Sequence, residues 1–304
     1  MNLRDLEYLV AVADHRHFGK AAAACGVSQP TLSAQVKKIE NELAVVLIER
    51  TSGGHFVTEV GARIVAHART ILREADALRA VAEQARAPRT GRLSLGIFPT
   101  LAPYLLPHVL PGLTAAMPGL ALGIVEDRSS VLLEKLTQGD LDAAVLALPV
   151  AGGDLVVAPL FREEFVLATP AGHPLDAAPS ALAASDLAGE ALLLLEDGHC
   201  MRDQTLQVCA TTGAREQTGS RISTVETLRF LVASGAGITL LPALAVAPPV
   251  FHPPTVTLHR FADPAPHRTI ALVWRRSDPH DALLGEVAEV LRVLPPGLVH
   301  PPEA

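Results

Sequence analysis

From residue 92 onward, the sequence alternates short runs rich in Val, Leu and Ile with longer stretches of helical periodicity. An alternation of this kind predicts an α/β domain, with a parallel sheet and helices on its faces. The predicted strands are 93–98, 120–125 and 143–148, and the predicted helices between them are about 105–117 and 131–138. With 304 residues, of which 49% are hydrophobic, the chain is long enough for two or three domains with cores of their own.

A second, similar set of strands and helices begins at residue 165. Its predicted strands are 165–168, 191–195 and 237–241, and its predicted helices are 200–209 and 225–233. A strand at 270–274 and a closing helix at 283–294 are expected to return to the first set, so the chain crosses twice between two lobes. We place lobe I at about 91–163 plus 266–304 and lobe II at about 164–265. The tail from Pro295 is rich in proline and is expected to be frayed.

The first 58 residues predict a small helical domain that ends in a hairpin. Apolar residues lie on one face of a helix at 3–14, and a second short helix follows at 18–24. Ser28 is a suitable N-cap for a third helix, with Pro30 in its first turn. A Ser-Gly-Gly turn within 47–58 predicts a two-stranded wing. Together these elements predict a winged helix-turn-helix domain over residues 1–58.

The polar face of the third helix carries short or cationic side chains of the kind that reach phosphates and base edges in a major groove. The candidate DNA-binding residues are Gln29, Pro30, Thr31, Ser33, Gln35 and Lys37 on this helix and Arg50 in the wing. Residues 1–90 hold 12 Lys and Arg against 10 Asp and Glu, whereas residues 91–304 hold 13 against 22. The amino-terminal part of the chain, called the head below, is therefore mildly basic, and the rest of the chain is acidic. This distribution of charge is compatible with nucleic-acid binding by the head. The alternative is a helical bundle whose surface happens to be polar.

Residues 59–88 predict one long helix, which Pro88 ends, and residues 59–90 a linker that includes a hinge. One face of this helix has a heptad seam, which calls for a partner helix and predicts a dimer. The seam residues are Ile64, Ala68, Ile71, Ala75, Leu78 and Ala82. The alternative is an amphipathic helix that packs only on its own domain.

Cys200 and Cys209 are two of only three cysteines in the chain. Cys200 follows an Asp-Gly turn and should lie in the first turn of a helix, where the free N–H groups, the dipole and Arg202 favour a thiolate. On one continuous helix, nine residues correspond to about 13 Å of rise, whereas a disulfide needs Cα atoms within about 7 Å. A disulfide would therefore force a change of shape, as in a redox switch. The alternative is two reduced cysteines in an ordinary helix.

A metal site made of His199 and these cysteines has no recognised ligand spacing, and we expect neither a metal nor another cofactor.

The head resembles the winged helix-turn-helix domain of LysR-type transcriptional regulators. The matching residues are Phe18, Ala21-Ala22, Ser28-Gln29-Pro30, Leu32-Ser33, Gln35, Ile39-Glu40, Leu43 and Arg50. Cys25, Ala34 and Ala44 depart from the common pattern; Cys25 is expected to pack as a small apolar residue beside the turn, and Ala34 removes a possible DNA contact. The two lobes resemble a periplasmic-binding-protein-like fold, which is usual for the effector domain of this family.

Four segments of the effector half are similar to the OxyR branch of this family, whose members sense hydrogen peroxide. These segments are 96–107, 196–209, 225–229 and 237–244. The resemblance implies that Cys200 is the peroxidatic cysteine and that Cys209 resolves it to a disulfide. It also implies a peroxide-binding or supporting role for Thr100, Ser129, His199, Arg202 and Asp203. The branch commonly has Thr where this chain has Ser129.

We therefore predict a transcriptional activator of oxidative-stress genes that binds double-stranded promoter DNA and is not an enzyme. The family implies a dimer of dimers and contact with RNA polymerase. The sequence starts without the apolar core of a signal peptide and lacks an apolar run of about 18 residues, so we place the protein in the cytoplasm. Two alternatives stay open at this point: a LysR regulator that binds an organic effector between the lobes, and a thiol peroxidase. The helix-turn-helix head argues against the peroxidase.

Overall fold

The computed structural model describes residues 1–51, 54–86, 90–177, 181–219 and 221–302. Among the features predicted from the sequence, some lie outside the described residues: the side chains of Arg50 and Ala82, the tip of the wing at 52–53 and most of the hinge at 87–89. The chain divides into two compact units, Met1–Ala85 and Arg86–Ala304.

The first unit begins with three helices, α1 (Leu3–His15), α2 (Phe18–Ala24) and α3 (Gln29–Leu43). The hydroxyl of Ser28 accepts a hydrogen bond from the backbone N–H of Thr31, which confirms Ser28 as the N-cap of the third helix. The three helices share one apolar core, against which Cys25 also packs, as predicted. Its most deeply buried members include Leu9, Phe18, Leu32, Ile39 and Leu47.

The wing is an antiparallel hairpin of β1 (Ile48–Thr51) and β2 (Gly54–Val57). Buried Glu40 on α3 fixes its start, because one carboxylate oxygen accepts the backbone N–H groups of Leu47 at 2.8 Å and Ile48 at 3.2 Å. The sequence predicts wing strands at 47–50 and 55–58, and the structure has both with their bounds shifted by one residue. These two hydrogen bonds to Glu40 hold the hairpin beside the third helix.

In the long helix α4 (Glu59–Arg86), the first residues of the heptad seam pack within the same domain. Ala68 is fully buried, and Ile64 packs against the core of the three-helix head. Farther along, Ile71 is 44% exposed and Leu78 is 72% exposed, with Ala75 half-buried. Of the five seam residues whose side chains are described, only the later ones thus leave apolar surface for a partner helix.

The second unit contains a seven-stranded sheet. Its strands are β3 (Thr90–Ile97), β4 (Gly119–Glu126), β5 (Ala143–Ala147), β6 (Leu155–Pro170), β9 (Thr239–Pro242), β10 (Val256–His259) and β11 (His267–Arg275). They lie in the order β10-β6-β11-β5-β3-β4, with β9 also paired to β6. Helices α5 (Ala102–Ala116) and α6 (Ser129–Gln138) connect β3, β4 and β5, which pair in parallel as predicted.

The rest of the sheet corrects the prediction that it is parallel. Strand β11 lies between β5 and β6 and is antiparallel to both, and β9 and β10 are antiparallel to β6. The physical reason is the route of the chain: β11 returns from the second lobe and therefore enters the sheet from the opposite end. The result is a mixed sheet, parallel only on the β5-β3-β4 side.

The remaining elements belong to the second lobe, apart from the closing helix. They are β7 (Ala191–Leu192), α7 (Cys200–Thr212), β8 (Arg215–Glu216), α8 (Val225–Ala233) and the closing helix α9 (Asp281–Leu291). Short 3-10 helices cover Pro174–Ala177, Ala184–Leu187 and Ala243–Val246. Strand β6 is continuous over 16 residues: its first part pairs with β11, and its last part pairs with β9 and β10. One strand therefore runs through both lobes.

The tail beyond α9 is held against β6, so the prediction that it is frayed was wrong for residues up to 302. His300 and Arg162 exchange two backbone hydrogen bonds of 2.9 Å, and the imidazole Nε2 of His300 lies 2.9 Å from a carboxylate oxygen of Glu164. Leu298 and Val299 pack against the core. The prolines follow the end of the helix, and His300 after them forms an isolated antiparallel β-bridge with Arg162.

None of the helices in the described part of the chain combines the length and the apolar character that crossing a lipid bilayer requires.

Candidate thiol site and DNA-binding face

Cys200 is the first residue of α7, as the sequence predicted. The turn before it depends on Gly198, whose φ of +92° lies in the left-handed region that residues with side chains rarely adopt. His199 follows as the N-cap residue, and Cys200 itself is half-buried against the core of the second unit. The thiol therefore lies at the amino end of the helix, where free backbone N–H groups collect.

A narrow pocket, open to solvent on one side, joins the two lobes around this thiol. It brings together four of the residues that the sequence singled out: Thr100, Ser129, His199 and Cys200. The other lining residues are Phe98, Pro99, Arg128 and Gly198.

Ser129 offers this pocket an unsatisfied hydroxyl. Its Oγ is buried and has no hydrogen-bond partner among the residues that the structure describes. Leaving a buried polar group unpaired costs about 1–3 kcal/mol. A small polar molecule in the pocket, with oxygen atoms that both donate and accept, would remove that penalty. Hydrogen peroxide and water both have this property.

The hydroxyl of Thr100 is held from behind by a buried ion pair that sequence reasoning missed. Arg268 donates from Nη1 to Thr100 Oγ1 at 3.2 Å and from Nη2 to the Thr100 carbonyl at 3.1 Å. Its Nε donates to Glu163 at 2.8 Å, and the second oxygen of Glu163 accepts the backbone N–H of Leu244 at 2.9 Å. Because Arg268 occupies a lone pair of Thr100 Oγ1, the hydroxyl hydrogen remains available to donate to a guest in the pocket.

The surroundings of His199 favour the neutral form of its imidazole. It is only 7% exposed, and burial lowers its pKa below the ordinary value, with the charge of Arg128 acting in the same direction. A neutral ring presents one donor and one acceptor nitrogen, so His199 can exchange a proton beside the thiol without adding a permanent charge.

Cys209 lies on the same continuous helix, in the apolar core, and is 6% exposed. Burial raises the pKa of its thiol, and the nearby charge of Glu216 raises it further. All three cysteines are free thiols. Nine residues of α-helix separate Cys200 and Cys209 by about 13 Å, so a bond between them requires α7 to unravel.

Arg202 and Asp203 do not reach this pocket. Arg202 donates to both carboxylate oxygens of Glu216, at 2.8 and 3.0 Å, and to the carbonyl of Leu195 at 3.1 Å, and its Nε lies 2.8 Å from Asp197. These bonds hold the first turn of α7 to β8 and to the preceding loop. Asp203 is exposed on the outer face of the helix.

We expect Arg202→Ala to speed closure of a disulfide between Cys200 and Cys209 by about three- to tenfold, because the charge-assisted bonds to Glu216 and Asp197 no longer hold the helix start. Stopped-flow measurement of the step that follows oxidation of Cys200 tests this. Arg215→Ala, which removes an exposed cation from neighbouring β8, is the matched control and should leave the rate unchanged. Equal rates for Arg202→Ala and wild type would show that opening of α7 does not limit closure.

The thiol residues do not form a metal site in the described part of the chain. The group of metal-ligand type there consists of Asp142, Asp278 and His280, whose ligand atoms lie within 4.8 Å of one another. Asp278 already pairs with Arg275 and with the His280 ring. Arg275 and the His280 ring thus offset the charge of Asp278 without an ion.

The exposed face at the start of α3 presents three of the predicted DNA-binding residues, Gln29, Pro30 and Thr31. Lys37 is also exposed, although its ammonium lies 3.3 Å from Glu40. Ser33 and Gln35 are half-buried, and the Gln35 Oε1 is buried without a hydrogen-bond partner among the described residues. The face is therefore polar at its amino-terminal end, where a recognition helix meets base edges.

Comparison with known proteins places these two sites in a family. The description "Bacterial regulatory helix-turn-helix protein, lysR family" matches residues 3–62, and "LysR substrate binding domain" matches residues 86–294. The chain belongs to the LysR family of transcriptional regulators. The predicted fold class is thereby confirmed, as are DNA binding by the head and the expectation that the chain is a regulator rather than an enzyme.

Within this family, the chain is similar to OxyR proteins over nearly its full length, which confirms the resemblance drawn from the sequence. It is 47% identical to the DNA-binding transcriptional dual regulator OxyR of Escherichia coli K12, over 96% of this chain and 95% of that protein. A hydrogen peroxide-inducible genes activator of Haemophilus influenzae is 43% identical over 92% of each chain.

Two solved structures show the same architecture. A full-length cysteine-to-aspartate variant of Pseudomonas aeruginosa OxyR superposes with a TM-score of 0.81 at 37% identity, covering 98% of this chain and 96% of that one. A cysteine-to-serine variant of Corynebacterium glutamicum OxyR with bound hydrogen peroxide gives a TM-score of 0.66 at 34% identity, covering 96% and 91%.

Proposed function

We propose that this LysR regulator senses hydrogen peroxide with Cys200 and that Cys209 converts the first oxidation product into a disulfide. The observation that carries the proposal is the convergence of the Cys200 thiol with the Thr100 and Ser129 hydroxyls in one small pocket. The orphan Ser129 Oγ supports it, because a peroxide oxygen would supply the missing partner. The similarity to hydrogen peroxide-inducible activators supports the same oxidant.

In the proposed first step, the Cys200 thiolate attacks one oxygen of hydrogen peroxide. An S–O bond forms, the O–O bond breaks, and the leaving hydroxide takes up a proton and becomes water. Thr100 and Ser129 hold the peroxide by hydrogen bonds. The neutral His199 ring takes the proton of the Cys200 thiol as the thiolate forms and returns it to the departing oxygen. Arg268 acts through Thr100 by fixing the direction of its hydroxyl.

In the second step, the thiolate of Cys209 attacks the sulfur of the Cys200 sulfenic acid. A disulfide forms, and the departing hydroxide takes a proton and becomes water. The reaction cannot occur on the intact helix, because about 13 Å of helical rise separates the two residues. Opening of α7 brings Cys209 out of the core, and the disulfide then keeps the new shape. This change of shape is the signal of the proposed switch.

The proposed regulatory assembly is a homo-oligomer acting on promoter DNA in the cytoplasm as an activator of oxidative-stress genes. The open part of the α4 seam, at Ile71 and Leu78, supports a dimer, because exposed apolar side chains at heptad spacing favour a partner helix. A tetramer and contact with RNA polymerase are further parts of the proposal. The proposed domains are the DNA reader at 1–58, the linker at 59–90 and the sensor at 91–304, with the lobe boundary near residue 163.

Mass spectrometry of the full-length protein, with thiols blocked before and after a stoichiometric pulse of hydrogen peroxide, tests both steps. We expect a Cys200–Cys209 cross-linked peptide, with Cys25 still free as an internal control. In a Cys209→Ser variant, Cys200 should stop at the sulfenic acid. Oxidation of wild type confined to Cys200 would discard the disulfide step, and protection of both cysteines from peroxide would overturn the proposal.

A further inference from the structure

An ion pair between the lobes lies at the mouth of the Cys200 pocket. Arg128, the residue that precedes α6, donates from Nη2 to a carboxylate oxygen of Glu196 at 3.0 Å. Glu196 belongs to the loop that leads into α7, so the pair joins lobe I to the segment that carries the thiol. The two side chains are 46% and 31% exposed, which places the pair at the surface.

Arg128 also covers the pocket itself. It lines the same pocket as Cys200 and His199, and apart from Gly198 it is the one exposed residue among the eight that line it. Gly198 has no side chain, so Arg128 has the most exposed side chain among the residues that line the pocket. A Cβ built on Gly198 would lie 3.0 Å from Arg128 Nη1 and 3.3 Å from its Cδ, so the arginine lies flat against the Gly198 backbone.

We propose that the Arg128–Glu196 pair is a gate that selects the oxidant by size, admitting hydrogen peroxide to Cys200 and excluding bulky organic hydroperoxides. This inference rests on the proposed function, because it assigns the specificity of the same thiol. The gate acts by position. Glu196 holds the guanidinium of Arg128, and the arginine side chain lies against the backbone of Gly198 at the pocket.

The narrow space that these residues leave beside the thiol agrees with this assignment. Tert-butyl hydroperoxide undergoes the same reaction: the thiolate takes one oxygen, the O–O bond breaks, and tert-butanol leaves after taking a proton. The two oxidants therefore react with the thiolate by the same chemistry. They differ in the group on the second oxygen, which is hydrogen in one and tert-butyl in the other, and this group must fit at the mouth of the pocket.

The test is the ratio of the second-order rate constants for Cys200 oxidation by hydrogen peroxide and by tert-butyl hydroperoxide, measured on the full-length protein by stopped-flow and thiol blocking. In Arg128→Ala we expect this ratio to fall by about fivefold, the factor that loss of one exposed ion pair can produce. The fall should come from faster reaction with tert-butyl hydroperoxide, while the rate with hydrogen peroxide changes less.

Glu196→Ala provides the second variant, because it releases the arginine without removing it. We expect the same direction of change, and the double variant should add little to either single one, since both remove the same interaction. Lys135→Met breaks the neighbouring pair with Asp127, which does not line the pocket, and should leave the ratio at the wild-type value. Circular dichroism identifies a variant that fails to fold. If one of the two single variants does so, the ratio measured on the other single variant tests the gate.

The outcomes separate the two proposals. Wild type that resists both oxidants overturns the proposed function itself. Wild type that reacts with hydrogen peroxide, together with Arg128→Ala and Glu196→Ala variants of unchanged ratio, overturns only the gate. A fall in the ratio caused by slower reaction with hydrogen peroxide would also overturn the gate, because it would make Arg128 a residue that binds the peroxide.

Discussion

Replacing Cys200 with serine is expected to abolish the response to peroxide, lowering induced transcription to the uninduced level. A serine hydroxyl keeps the size and position of the side chain at the start of α7 but is not oxidised by peroxide, so neither the sulfenic acid nor the disulfide forms. The measurement is transcription in vitro, with and without hydrogen peroxide, from a promoter selected for binding by the wild-type protein. The free energy of unfolding should stay within about 0.5 kcal/mol of wild type, because Cys200 is only half-buried.

Cys25→Ser is the matched control for this experiment. Cys25 packs against the core of the first unit, and the thiol pocket lies in the second. The control should therefore keep a full response to peroxide. A Cys200→Ser protein that still activates transcription with peroxide would place the sensing group elsewhere in the chain.

Glu163→Gln is expected to destabilise the protein by about 3–5 kcal/mol, the cost of leaving one partner of a buried ion pair uncompensated. Both Glu163 and Arg268 have fully buried side chains, and Arg268 lies over the ring of Phe98, with its Cζ 5.2 Å from the centroid. Denaturant unfolding of the full-length protein measures the loss. Asp154→Ala, which breaks the exposed pair with Arg276, is the control and should change stability by less than about 1 kcal/mol.

A double replacement separates stability from the positioning of Thr100. Glu163→Met with Arg268→Met removes both charges, and we expect it to recover part of the stability, since an apolar pair can replace a buried ion pair. Its rate of Cys200 oxidation should stay below that of wild type, because Thr100 has lost both bonds from Arg268. If the double variant recovered the wild-type oxidation rate, the ion pair would have only a structural role.

The local features of the site could be predicted from the sequence because short-range rules determine them. The Asp-Gly turn and the absence of Gly and Pro from Cys200 to Thr212 predict a helix that begins at the thiol. The Ser28 cap and the heptad spacing in α4 follow from similar rules. The heptad pattern does not predict which seam residues pack against their own domain. In the structure, Ala68 is buried and Leu78 is exposed.

The features that the sequence could not predict are contacts between distant residues. Glu163 and Arg268 are 105 residues apart, and Arg128 and Glu196 are 68 apart. Charged residues carry no periodic signal that reports such pairs, so only the folded chain shows them. Arg202 was placed near the thiol by sequence proximity, but the bend of the chain at β8 brings Glu216 closer. The direction of β11 was missed for the same reason, because strand pairing is decided far along the chain.

The burial of Cys209 in the core has a consequence for how the proposed switch is reset. Closing the disulfide requires the helix to open and Cys209 to leave its apolar surroundings, so the oxidised form gives up packing that the reduced form keeps. The reduction potential of a disulfide rises by about 30 mV for every 1.4 kcal/mol lost in this way. Structural disulfides of secreted proteins lie below about −300 mV, beyond the reach of glutathione. The lost packing raises the reduction potential of the proposed Cys200–Cys209 disulfide above that range, toward the potentials at which cellular thiols reduce it. Once the bond is reduced, the helix refolds and returns Cys209 to the core.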